Sequence, residues 1–100
     1  MQLLTAALTG ATDSAKFRTT KEGKIYLWLY GTTISNITLS NCTSESGTYQ
    51  NYYPAGTVAT YTTNTTISYD APGGLFWKLT GDASTDTISI YVDGPNIKLV

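Results

Sequence analysis

The sequence contains no histidine and a single cysteine, Cys42, and only 13% of its 100 residues are charged. Without histidine there can be no Ser-His-Asp triad or Cys-His dyad, and the commonest general base and zinc ligand are missing. One cysteine permits no intrachain disulfide, the usual brace of a small secreted domain. Cys42 is therefore read as a small apolar packing residue, since no histidine exists to activate it. Six Lys and Arg against seven Asp and Glu leave a net charge of −1. No dense basic run marks a nucleic-acid footprint, and no apolar run approaches membrane-spanning length. Met1-Gln2-Leu3-Leu4 lacks the basic and continuous apolar regions of a signal peptide. The chain is expected to be made in a reducing cytoplasm and kept there, or released by lysis. The sequons at Asn36, Asn41 and Asn64 are then polar strand or turn residues in a chain with 19 Thr.

Thr, Tyr, Ile and Val dominate instead, which is strand composition. No window carries an apolar stripe at helical spacing. Turn clusters recur at Gly10–Ser14, Lys21–Gly23, Gly31–Thr33, Thr43–Gly47, Pro54–Gly56, Asp70–Gly74, Gly81–Asp86 and Asp93–Asn96. Runs of about five to eight residues between them are the signature of an antiparallel sandwich or barrel. One hundred residues form one domain, with about two-thirds of the extended chain's surface buried. The expected fold is all-β: a single antiparallel β-sandwich over residues 1–100, jelly-roll or immunoglobulin-like, with about 7–9 short strands.

Lys24–Tyr30 is the clearest strand, with Ile25, Leu27 and Leu29 on one face and Tyr26, Trp28 and Tyr30 on the other. The aliphatic row is assigned to the core. The aromatic row forms either packing under a loop or second sheet, which is preferred, or a contact surface. Ile34–Cys42, Leu75–Thr80 and Thr87–Val92 alternate in the same way, and Gly81–Asp86 joins the last two. Thr48–Tyr53, Thr57–Thr62 and Thr65–Tyr69 are weaker strands. Leu3–Leu8, Ala15–Thr19 and Ile97–Val100 are expected to pair at sheet edges. The expected core is Phe17, Ile25, Leu27, Leu29, Ile37, Leu39, Val58, Ile67, Leu75, Trp77, Leu79, Ile88, Ile90 and Val92.

Three constellations bear on function. Asp82 and Asp86 have the alternate spacing of oxygen ligands in some calcium loops, but the glycine and distal glutamate of an EF-hand are missing. They are read as turn residues, so no metal or cofactor is expected. The acids Asp13, Glu22, Glu45, Asp70, Asp82, Asp86 and Asp93 all fall in turns or loops, and no pair stands out for glycosidic chemistry. No catalytic residue is assigned. Tyr49, Tyr52, Tyr53 and Tyr61 cluster around Pro54-Ala55-Gly56. Such rings pack as loop cover, anchor protein interfaces or stack on sugars. They are taken as the candidate interface. Lys16, Arg18, Lys21 and Lys24 form a weak basic edge, read as protection of an edge strand against aggregation.

The segments Leu8–Thr12, Ile25–Gly31, Ile37–Leu39, Ala71–Gly81 and Ile88–Val92 are ordered as an opening turn, a strand ending in Gly and a Thr-rich strand. A Pro-Gly turn launching an aromatic strand and a final alternating strand complete the series. In this pattern the chain resembles the small β-sandwich capsid decoration (cement) proteins of tailed bacteriophages. It departs at Thr43–Tyr69, where the Tyr cluster replaces the family's Asp-Gly-Thr followed by Trp. The resemblance implies a non-enzymatic virion protein that binds the lattice of the major capsid protein at the capsid surface and stabilises it. It has no nucleic-acid or membrane partner, and a homotrimer would bury the tyrosines. The competing readings are a phage tail or adaptor component, a carbohydrate-binding adhesin-type module, and a sandwich hydrolase, which the missing histidine disfavours.

Overall fold

Strict alternation of side chains is what lets each strand put one row inward and one outward, and the burial pattern follows it strand by strand. The computed structural model describes residues 2–8, 14–31, 37–52, 60–61, 64–81 and 88–100, with only the backbone at Thr5, Ala6, Ala7, Thr60 and Tyr61. The strands are β1 (Gln2–Leu8), β2 (Ser14–Thr19), β3 (Gly23–Gly31), β4 (Ile37–Cys42) and β5 (Gln50–Asn51). They continue with β6 (Thr60–Tyr61), β7 (Thr65–Ala71), β8 (Leu75–Thr80), β9 (Ile88–Asp93) and β10 (Ile97–Leu99). No helix occurs among the described residues.

The strands form two antiparallel sheets packed as a sandwich. The first sheet is ordered β1-β9-β3-β7. The second runs β10-β2-β8-β4-β5, with the two-residue β6 also pairing β4. The expected fold class is the one observed. Four strands in the first sheet and five along the second fall within the expected number, with the two-residue β6 off that path. Leu75–Thr80 is a strand with the expected ends, and β7 runs two residues further than expected, to Ala71. Among the edge expectations, β1 and β10 do lie at sheet edges, but β2 is interior, between β10 and β8. Short as it is, β10 pairs with Phe17–Thr19 along that edge. Protection of an open edge therefore does not explain Arg18, whereas Lys16 lies just beyond the three residues that β10 pairs.

The core joins the inner rows. In the first sheet, Leu27 lies between Ile67 and Val92, Leu29 is opposite Ile90, and Ile25 is opposite Tyr69. In the second, Trp77 lies opposite Phe17 and Leu79 between Ala15 and Leu39. Of the expected core, Phe17, Ile25, Leu27, Leu29, Ile37, Leu39, Trp77, Leu79, Ile88, Ile90 and Val92 are buried, and Ile67 and Leu75 pack partly buried against them. Val58 lies outside the described residues. Leu8, Ala15, Tyr69 and Ala71 complete the core. Tyr52, Tyr69 and Trp77 meet with ring centroids 5.1–5.4 Å apart, within the range of favourable aromatic pairs.

One buried hydroxyl ties the sheets' connecting turn to the core. Thr19 Oγ1 accepts a hydrogen bond from Trp77 Nε1 at 3.2 Å and donates to the carbonyl oxygen of Pro72 at 2.7 Å. The Gly74 amide donates to the Thr19 carbonyl at 2.7 Å. The turn needs both its glycines. Gly74 has φ +77°, in the left-handed region, and a Cβ on Gly73 would come within 2.6 Å of Lys21 Cα.

Candidate functional site

Because each inner row fills the core, function must come from the outer rows or the loops. The two outer faces differ sharply. On β3, Tyr26, Trp28 and Tyr30 point away from the core, and Tyr26 and Tyr30 are 41% and 46% exposed. The expectation that this row packs between sheets is thus corrected. A pleated strand can bury only one row against the core, and the aliphatic row already meets the inner residues of β7 and β9. Strand register enlarges the patch. Trp28 is opposite Tyr91 of β9, and Tyr91 is opposite Leu3 of β1, itself 47% exposed. Tyr26 and Trp28 stack with centroids 6.2 Å apart, and Tyr30 meets Tyr91 edge-on at 6.3 Å. Ser89 and Asp93 of β9 and Thr66, Ser68 and Asp70 of β7 occupy the outer-row positions beside these rings. The result is an apolar centre with a polar rim on the open face of the sheet.

The outer face of the second sheet is basic. Lys16 is directly opposite Lys78, and Arg18 lies between Lys98 and Phe76. Phe76 is in turn opposite Cys42, and Lys78 is opposite Ser40. The Tyr49 ring sits under two ammonium groups, Lys78 Nζ at 4.5 Å and Lys16 Nζ at 5.4 Å from its centroid. Arg18 covers the Phe76 ring at 5.3 Å. These are cation–π distances. The Tyr49 hydroxyl donates to the Glu45 carbonyl at 2.9 Å, which fixes the ring over the sheet. Burial, followed by the nearby charges of Cys42 and Glu45, holds the Tyr49 phenol above its ordinary value.

Of the four tyrosines of the expected interface, the described side chains are those of Tyr49 and Tyr52, and they lie on opposite sides of β8. Tyr49 lies on the outer side of β8, over Lys78, while Tyr52 lies on its inner side, against Trp77. The Tyr52 amide donates to the Leu39 carbonyl at 2.9 Å, and core packing accounts for its ring. Tyr61 contributes its backbone to β6 opposite Ile37. Tyr53 and the side chain of Tyr61 lie outside the described residues.

The remaining candidates are placed as follows. Cys42 is half-exposed at the end of β4 and not a core packing residue. Its thiol lies 4.0 Å from the Ser44 hydroxyl, and hydrogen bonding to the Ser44 backbone holds it below its ordinary value. Gly47 is packed so closely that a Cβ there would come within 2.5 Å of that sulfur. Asp82 and Asp86 lie outside the described residues, and so does Asp13. Among the described residues no three His, Cys, Asp or Glu side chains group to hold a metal ion. A shallow hollow of about 290 Å³ lies beside Glu22, Asp70 and Pro72.

What sequence reading missed is the company each outer residue keeps. Lys78 and Lys98 join Lys16 and Arg18, whereas Lys21 lies in the β2–β3 turn and Lys24 faces Asp70 on the other sheet. The signal, once strands are placed, is register: Lys16 and Lys78 share a level in adjacent strands. No protein-family model, curated protein or solved structure matches this chain.

Proposed function

We propose that the protein is a non-enzymatic binding module that decorates and stabilises an assembled capsid, docking through the outer face of the four-stranded sheet. The observation that carries this reading is the outward row Tyr26, Trp28 and Tyr30, with Tyr26 and Tyr30 exposed and Trp28 half-buried, widened by half-buried Tyr91 and exposed Leu3 and rimmed by hydroxyl and charged residues. Exposed apolar patches with polar rims mark interaction surfaces, and Trp and Tyr are the residues that most often dominate their energetics. The rings stand on the open face of a sheet rather than inside a cleft, which suits a protein lattice better than a small substrate. The strands hold the rings in place, so little side-chain freedom is lost on docking. Many copies on a repeating lattice then multiply a modest contact, and binding to the assembled shell but not its separated subunits stabilises it by mass action. The sequence resemblance to capsid decoration proteins supports the same reading.

The test is quantitative mass spectrometry of purified particles, together with binding to undecorated shells. Copy numbers on the order of hundreds per particle are expected for a decoration protein. A Tyr26→Ser, Tyr30→Ser double variant should fold and lose shell binding. About a dozen copies or fewer would assign the protein to the tail or an adaptor. A second reading, a carbohydrate-binding module, is favoured by the hydroxyls of Thr66, Ser68 and Ser89 beside the same rings. Absence from particles combined with glycan-array binding would select it.

A further inference from the structure

We infer that the opposite, basic face of the sandwich docks an extended acidic segment of a partner protein. Four of the six basic residues of a chain with net charge −1 lie on this one face: Lys16, Arg18, Lys78 and Lys98. They are set as two directly opposed like-charge pairs, Lys16 with Lys78 and Arg18 with Lys98. Directly opposed like charges work against strand pairing. Lys16, Arg18 and Lys78 meet the Tyr49 and Phe76 rings and the Glu45 carbonyl oxygen, none of which neutralises a cation. Three of the four described carboxylates are elsewhere. Asp70 and Asp93 lie on strands of the other sheet, and Glu22 is in the β2–β3 turn. Among the described side-chain carboxylates, Glu45 alone borders the patch.

Charge complementarity therefore calls for an anion, and geometry chooses its form. Bases of a single-stranded nucleic acid bind by stacking on open aromatic faces in a basic groove. Here Phe76 is covered by Arg18, and Tyr49 lies under Lys16 and Lys78. An extended peptide, in contrast, presents every second side chain on one side at the pleat spacing of a strand, the spacing that separates Lys16 from Arg18 on β2. Acids at alternate positions would meet Arg18 and Lys16 in turn, with Lys98 and Lys78 flanking. The Tyr49 ring holds two of the ammonium groups in place before binding, which lowers the ordering cost. The two outer faces point in opposite directions, so this site is open while the aromatic face is engaged.

The test is an NMR titration of the uniformly ¹⁵N-labelled full chain with a synthetic peptide of alternating Glu and Ser, about ten residues long, at low ionic strength. Amide shifts confined to β2, β8, β10 and the Tyr49 segment are expected. Affinity should fall about tenfold or more between roughly 20 and 200 mM NaCl, and again in Arg18→Gln, Lys78→Gln. Lys98→Gln, at an exposed edge position, is the second variant and should also weaken binding with the spectrum otherwise unchanged. No binding, shifts centred on Tyr26 or Tyr30, or variants that bind as the wild type does would overturn the proposal. Tighter binding of an oligothymidylate or a heparin oligosaccharide of equal charge would also overturn it, in favour of nucleic acid or glycan. Shell binding measured on the same variants is expected to be retained, so loss of one site is read separately from loss of the other.

Discussion

Thr19 shows how much one side chain can carry in this fold. It is fully buried, and its single hydroxyl satisfies both the Trp77 indole N–H and the Pro72 carbonyl. Thr19→Val keeps the shape and removes the oxygen, leaving the buried Trp77 indole N–H without its acceptor, while the Pro72 carbonyl belongs to an exposed residue. The expected loss is about 1–3 kcal/mol for the orphaned indole, read as a lower urea midpoint with unchanged slope. Trp77→Ala is expected to cost about 3–5 kcal/mol, since Trp77 is fully buried against Phe17, Tyr52 and Tyr69. A midpoint that barely moves would mean that the indole is not the centre of the core. Tyr49 gives a pH test. Its phenol is held above the usual 10.0, so the folded chain keeps a proton that the unfolded chain releases. That contribution is complete below pH 10.0 and is lost as pH rises through the folded value. Tyr49→Phe should therefore make the alkaline fall in stability shallower, as seen by denaturant titrations on either side of that pH.

At the scale of the element, the second sheet carries a built-in conflict. β10 and β8 each place a cation directly opposite one on β2. Lys98→Thr removes one such pair at an exposed position. It is expected to raise the stability of the isolated domain by up to about 1 kcal/mol, measured by thermal or chemical unfolding. A fall in stability would show that the Lys98 charge is compensated within the domain. The β7–β8 turn is constrained in the opposite sense. Gly73→Ala would push a Cβ into the Lys21 backbone, which cannot yield as a flexible side-chain tip would. Strand existence was legible from alternation alone, most clearly in β3, β8 and β9. The interior place of β2 was not, because it depends on a three-residue β10 from the far end of the chain. Arg18 reads as edge protection only while β2 is taken as an edge.

For the whole molecule, the two sheets turn a nearly neutral chain into a body with one aromatic face and one basic face. Neither face is continuous in sequence. The aromatic patch draws on β1, β3 and β9, and the basic patch on β2, β8 and β10. A chelator is expected to leave the melting temperature unchanged. A drop restored by calcium would instead locate a cation site at Asp82 and Asp86, the one oxygen-ligand spacing in the sequence.

By itself the sequence determined the class of fold and most of the core. Period-two alternation with turn residues at short intervals admits little but an antiparallel sandwich or barrel, and the rows Ile25-Leu27-Leu29 and Ile88-Ile90-Val92 announce which side is buried. It also excluded histidine-based catalysis and disulfide bracing. Tertiary structure alone decided that the aromatic row of β3 is left facing outward rather than covered by a loop or second sheet, that Tyr49 and Tyr52 lie on opposite sides of one strand, and which cations stand together. The physical reason is common to all three. Alternation fixes what shares a face within a strand, but only long-range register and sheet order fix what lies beside it, and those are set by pairing between segments tens of residues apart.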